Sequence, residues 1–188
     1  MSTQTVHELA KLAEGIRICV KCPLYQSRTH AVPGEGAPHA AIMLVGEAPG
    51  QVEDSQGRPF VGPSGRFLIK LLEQNGLSRE DVFITNSVKC RPPNNRFPHV
   101  KELEICKRSW LLRQIELVDP KVIVLLGRAP LRQLLGDQVT ITQLHGQFLR
   151  KDGRLYLIQY HPAAALRSPE IRATMQQDFR KIKEAVKP

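Results

Sequence analysis

Four cysteines carry the most distinctive chemistry in this sequence: Cys19 and Cys22, in the segment Cys19-Val20-Lys21-Cys22, and the more distant Cys90 and Cys106. Two thiolates from one turn offer a bite suited to zinc or iron, and the other two complete a four-sulfur set for one metal or cluster site. The chain has no further cysteine, so such a site uses every one. The competing reading scatters them through the core as small apolar side chains. Spacing does not separate zinc from an iron–sulfur cluster, because both accept four thiolates.

Three other segments bring polar groups to the ends of apolar runs. Gly46-Glu47-Ala48-Pro49-Gly50 is followed by Glu53, Asp54 and Gly57-Arg58-Pro59-Phe60-Val61-Gly62, a glycine-rich stretch whose backbone a ligand can approach closely. It is neither the dinucleotide fingerprint nor a phosphate-binding P-loop. Thr85-Asn86 leads into Lys89-Cys90-Arg91-Pro92-Pro93, and the last segment is Tyr160-His161-Pro162-Ala163-Ala164-Ala165-Leu166-Arg167. On spacing alone Asn86 reads equally as a turn-capping asparagine, Phe60 as a core ring and His161 as a structural histidine.

The elements that must position these residues are legible as four apolar, β-rich runs: Ala40 to Gly46, Asp81 to Val88, Lys121 to Gly127 and Leu155 to Tyr160. Their continuous rather than alternating apolarity predicts strands covered on both faces. Helical spacing fills the intervals. Ser64 is a candidate N-cap for a helix with Phe67, Leu68, Leu71 and Leu72 on one stripe and Gly76 as its stop. Further helices are predicted over His7 to Gly15, Val100 to Val118, Ala129 to Leu135 and Pro169 to Ala185. The pattern is an α/β fold, a doubly wound sheet that binds ligands at its strand ends.

Bulk properties narrow the function class. At 188 residues one domain, 1–188, is expected, with a core that needs no disulfides. No apolar run approaches the roughly eighteen residues of a membrane span. The start Met1-Ser2-Thr3-Gln4-Thr5-Val6-His7-Glu8 lacks a signal-peptide pattern, so a reducing, cytoplasmic compartment is expected and the cysteines favour ligand roles. A net charge of +9 suits a polyanionic partner such as nucleic acid.

Taken together, GEAPG, GRPFVGPSG, TNSVKCRPP, HPAAALR and the cysteine spacing resemble the iron–sulfur uracil-DNA glycosylases, family 4, over nearly the whole chain. The resemblance implies a three-layer α/β/α fold around a four-stranded parallel sheet, and a [4Fe–4S] cluster on Cys19, Cys22, Cys90 and Cys106. It implies a monofunctional enzyme, a monomer, that acts on uracil in double- or single-stranded DNA and leaves an abasic site in base excision repair.

The same resemblance assigns roles. Asn86 reads uracil, its amide oxygen accepting from N3–H and its NH₂ donating to O4, a pattern that cytosine reverses. Phe60 stacks on the flipped ring. His161 donates to uracil O2 as negative charge grows there. Glu47, with the backbone of Gly46 and Ala48, positions water or stabilises the sugar cation. Lys89, Arg91 and Arg96 contact phosphate, and Leu166 with Arg167 plugs or flanks the vacated stack. Better-known uracil glycosylases carry aspartate and tyrosine where this chain has Ala48 and Gly50. No lysine in these motifs suits Schiff-base chemistry, so simple hydrolysis is expected.

Two rival readings use the same fold. A related class captures uracil-DNA covalently through a histidine after the third cysteine, and His99 lies in that interval; its neighbours Asn95-Arg96-Phe97-Pro98 lack the Arg-rich insertion of that class, which makes His99 a helix-start or surface residue. A noncatalytic DNA-binding relative is the other, opposed by the presence of Glu47, Asn86 and His161.

Overall fold

The structure is a computed structural model that describes residues 3–138 and 140–185. In chain order it contains α1 (Thr3–Arg17), β1 (Glu35–Gly36), β2 (Ile42–Gly46), α2 (Gln51–Gln56), α3 (Pro63–Gln74), β3 (Phe83–Asn86), α4 (Val100–Cys106) and α5 (Leu112–Val118). There follow β4 (Val122–Leu126), α6 (Arg128–Leu135), α7 (Ile141–Leu144), β5 (Phe148–Lys151), β6 (Arg154–Gln159), α8 (Pro162–Ala165) and α9 (Pro169–Ala185).

The four apolar runs form the parallel centre of the sheet, in the order β3-β2-β4-β6. Every residue of β2, β3 and β4 is buried, as strands covered on both faces must be. Alternate side chains build two cores. Leu44, Ile84, Val124 and Leu157 pack with α3 and α9, burying Leu68, Leu71, Leu72, Met175 and Phe179. Met43, Val45, Ile123, Leu125 and Ile158 pack on the other face with Ile115, Val118 and Leu131 of α5 and α6.

The sheet has six strands rather than the expected four. β1 pairs antiparallel with β3, and β5 pairs antiparallel with β6. Both lie at edges and are partly exposed, so neither carries the apolar run that marks a central strand. The β5–β6 connection turns on Asp152 and Gly153, both at positive φ (50° and 75°), the backbone a two-residue hairpin requires.

Helix boundaries also differ: α1 runs from Thr3 to Arg17 rather than His7 to Gly15. α3 begins at Pro63 with Gly62 as its N-cap; proline at the first position loses no intrahelical hydrogen bond, so Ser64 lies inside the helix. The helix expected over Val100 to Val118 is α4 and α5 joined through a π-helical turn, Lys107–Leu111. α2, α7 and α8 have no counterpart among the predicted helices. No helix among the described residues is long and apolar enough to cross a membrane.

Candidate active site and cysteine centre

The carboxyl ends of β2, β3 and β6 face one cavity of about 200 Å³, whose walls include Glu47, Ala48, Phe60, Asn86 and His161. Parallel strands deliver their loops to the same edge, which is why segments far apart in sequence meet there.

Asn86 stands opposite Gly46 in the β2–β3 register. A Cβ at position 46 would lie 2.4 Å from Asn86 Oδ1 and 2.5 Å from Phe60 Cζ; only glycine leaves room for the amide and the ring tip together. Asn86 Oδ1 is buried and has no hydrogen-bond partner among the described residues. An orphaned buried acceptor costs about 1–3 kcal/mol, a cost that a bound donor removes. Beyond the strands the pairing continues, with Ser87 N donating to Gly46 O (2.8 Å) and Val88 N to Glu47 O (3.2 Å). The backbone that carries Asn86 therefore also holds Glu47.

Phe60 is buried with φ of 52°, a left-handed backbone unusual for an aromatic residue. Arg79 donates to the carbonyls of Pro59 and Phe60, and a Cβ on Gly65 would fall 2.0 Å from Phe60 O. The ring lies 5.9 Å from that of His161, centroid to centroid.

His161 is the N-cap of α8, and its Nδ1 accepts from Ala163 N at 3.2 Å. That bond places the ring proton on Nε2 when the imidazole is neutral. Burial lowers its pKa to about 4, opposed by the Glu53 carboxylate and reinforced by Arg167. Its Cβ stands on Gly127 after β4, where an added Cβ would approach to 3.0 Å and φ is 97°. Glu47 is shifted the other way: burial raises its pKa, against the pull of Arg128.

The four cysteines are all free and line one second cavity. Cys19 and Cys22 follow α1, Cys90 follows β3 and Cys106 ends α4. Among the described residues, no three His, Cys, Asp or Glu side chains are placed about a single ion; the thiols instead surround a space. Arg28 Nη1 donates to Cys90 Sγ (3.1 Å) and Trp110 Nε1 to Cys19 Sγ (3.3 Å). N–H donors on sulfur suit thiolates that carry charge. Trp110 comes from the π-helical turn, which aims it back across α1. A donor set of four thiols fits a soft, sulfur-ligated metal centre.

Of the basic residues expected at DNA, Lys89 is not available. It is 2% exposed, and its Nζ donates to Thr85 Oγ1 (2.6 Å), Gln114 Oε1 (2.6 Å) and Asn86 O (2.8 Å). Its ammonium braces the β3 end from inside and reaches no phosphate. Arg96 lines the site cavity, with its guanidinium on Glu102 at 2.7 and 2.9 Å. Arg91 is partly exposed and bonds Asn95. Leu166 and Arg167 are exposed just beyond α8. His99 is exposed at the α4 N-cap, where its backbone N–H is held by Glu102 at 2.7 Å, and it does not line the cavity.

Sequence reasoning passed over Glu53, a buried carboxylate in the cavity wall, and Arg128, which stands over the Phe97 ring at 4.4 Å. The signal for Glu53 was its place three residues beyond GEAPG. Arg128 had none.

Residues 33–187 match the family model for the Uracil DNA glycosylase superfamily. The chain is 46% identical over 185 residues to the type-4 uracil-DNA glycosylase of Sulfurisphaera tokodaii, covering 94% of this chain and 84% of that protein. It is 43% identical over 188 residues to the type-4 uracil-DNA glycosylase of Thermotoga maritima, covering 97% of each. A DNA polymerase of Bacillus phage SP01 is 30% identical over 147 residues, 78% of this chain but 15% of the polymerase.

Proposed function

The chain belongs to the uracil-DNA glycosylase superfamily, in its type-4 branch, and on that premise we propose that it flips uracil out of DNA and hydrolyses the N-glycosidic bond, leaving an abasic site for base excision repair. The observation that carries the reading is the unpartnered, buried Oδ1 of Asn86 in one cavity with Phe60 and His161.

Uracil presents N3–H to that oxygen and O4 to the amide NH₂. Cytosine offers an acceptor and a donor in the same places, so it would leave both amide groups opposed. Phe60 gives the flipped ring a face to stack on, in place of the neighbouring bases it leaves behind in the duplex. His161, neutral at pH 7 with its proton on Nε2, donates to O2; the bond strengthens as the departing base gains negative charge, so it favours the transition state over the ground state. Glu47, held through Val88, faces the same cavity with Gly46 and Ala48, placed to orient water or to stabilise cationic character on the sugar.

A [4Fe–4S] cluster on Cys19, Cys22, Cys90 and Cys106 supplies, when bound, a structural tie. Those ligands join the end of α1, the loop after β3 and α4. Arg91, Arg96, Arg167 and Leu166 make the DNA face, and 1–188 acts as one domain, a cytoplasmic monomer on double- or single-stranded DNA.

Incubating the purified protein with a labelled uracil oligonucleotide tests the function. Alkali-labile cleavage without a denaturant-stable adduct is expected. An adduct would support capture through His99, and neither product would leave the noncatalytic relative.

A further inference from the structure

Glu53 has the least explained position in the cavity wall. It is 8% exposed, sits in the first turn of α2, and forms no ion pair within 4 Å among the described residues. Its Oε1 accepts two backbone N–H groups, Val61 at 3.0 Å and Gly62 at 2.7 Å. These are the two residues directly after Phe60. Its Oε2 occupies the space of a missing side chain, since a Cβ on Gly50 would lie 2.8 Å away.

We infer that Glu53 is a positioning residue for uracil recognition, one that fixes the Phe60 ring as a stacking platform by gripping the backbone immediately after it. The inference rests on the reading of Phe60 as that platform. A left-handed backbone at Phe60 persists only when its surroundings over-determine it. Arg79 holds the carbonyls on one side of the turn, and Glu53 holds the N–H groups on the other. Charge-assisted bonds to two successive N–H groups define an orientation as well as a distance.

Asp54, the next residue, provides an internal contrast. It is also buried, but its carboxylate accepts Thr29 N at 2.9 and 3.1 Å, on a loop outside the cavity. α2 thus carries two adjacent carboxylate clamps, of which only Glu53 grips the cavity wall.

A double-mutant cycle between Glu53 and Phe60 tests this, read as inhibition by free uracil and as kcat and KM on uracil DNA. Glu53→Ala is expected to weaken uracil inhibition and raise KM by about tenfold in the wild-type background, and by less than about twofold in Phe60→Ala. Glu53→Gln, which keeps the acceptor oxygen, should recover most of the loss. Asp54→Ala should lower the melting temperature and show no coupling to Phe60. If Glu53→Ala does not fold, Glu53→Asp makes the same comparison, keeping charge but shortening the reach.

An equal Glu53 effect in both backgrounds, or no rescue by glutamine, overturns the inference and leaves the Phe60 reading standing. A Phe60→Ala enzyme with unchanged uracil inhibition overturns both.

Discussion

Gly46 and Asn86 face each other across β2 and β3, and the missing Cβ of the glycine is the space in which the asparagine oxygen lies. The place of the Asn86 amide in the cavity is therefore set by a residue with no side chain. Gly46→Ala should cut kcat/KM on uracil DNA by about a hundredfold, because the amide must move by more than a hydrogen-bond tolerance. Kinetics with a melting curve would check it; full activity would show that the amide does not need this place.

On the proposed reading, Asn86→Ala removes both groups that would distinguish uracil from cytosine. Excision should fall by at least about a hundredfold, while binding to undamaged DNA stays near wild type, because phosphate contacts supply that affinity. Parallel excision and binding assays separate the two.

His161 gives stability a defined pH dependence. Its folded pKa of about 4 lies below the ordinary 6.5, so between those values the unfolded chain binds a proton that the folded protein refuses. The contribution is complete above pH 6.5 and is lost as pH falls toward 4, amounting to about 1–2 kcal/mol at pH 5. Melting curves at pH 7 and pH 5 should show a smaller loss in His161→Gln than in the wild type. Equal losses would assign the acid sensitivity elsewhere.

Iron and acid-labile sulfide analysis tests the cysteine centre. The purified protein should be brown, and Cys106→Ala should lose the colour and melt lower, since a cluster held by these cysteines would tie α1, α4 and the loop after β3. A colourless, active zinc protein would contradict the cluster.

Salt dependence distinguishes the basic residues. Arg91→Ala should reduce the slope of log affinity against log salt by about 0.9, the signature of one phosphate contact removed. Lys89→Met should leave the slope alone and lower the melting temperature, because its three internal acceptors lose their donor. A reduced slope in Lys89→Met would reverse that assignment.

The strands were the most legible part of the fold. Ile42–Gly46, Phe83–Asn86, Val122–Leu126 and Arg154–Gln159 fall within or beside the four apolar runs, because central parallel strands must be apolar on both faces. The edge strands escaped notice: two residues, or four with half exposed, leave no periodic signal. Lys89 misled for a related reason. A lysine among basic loop residues reads as exposed, and only the meeting of Thr85, Asn86 and Gln114 around its ammonium shows where it went.

By itself the sequence determined the layered α/β class, the likeness to type-4 uracil glycosylases and the residue types of the site, since apolar runs and clustered motifs are local properties of the chain. Only the tertiary structure decided which of those residues share a cavity. It left Asn86 Oδ1 without a partner among the described residues, engaged His161 Nδ1 with Ala163, drew Lys89 inward and put Glu53 behind Phe60. Each of these depends on contacts between strand ends and loops distant in sequence, which no local pattern encodes.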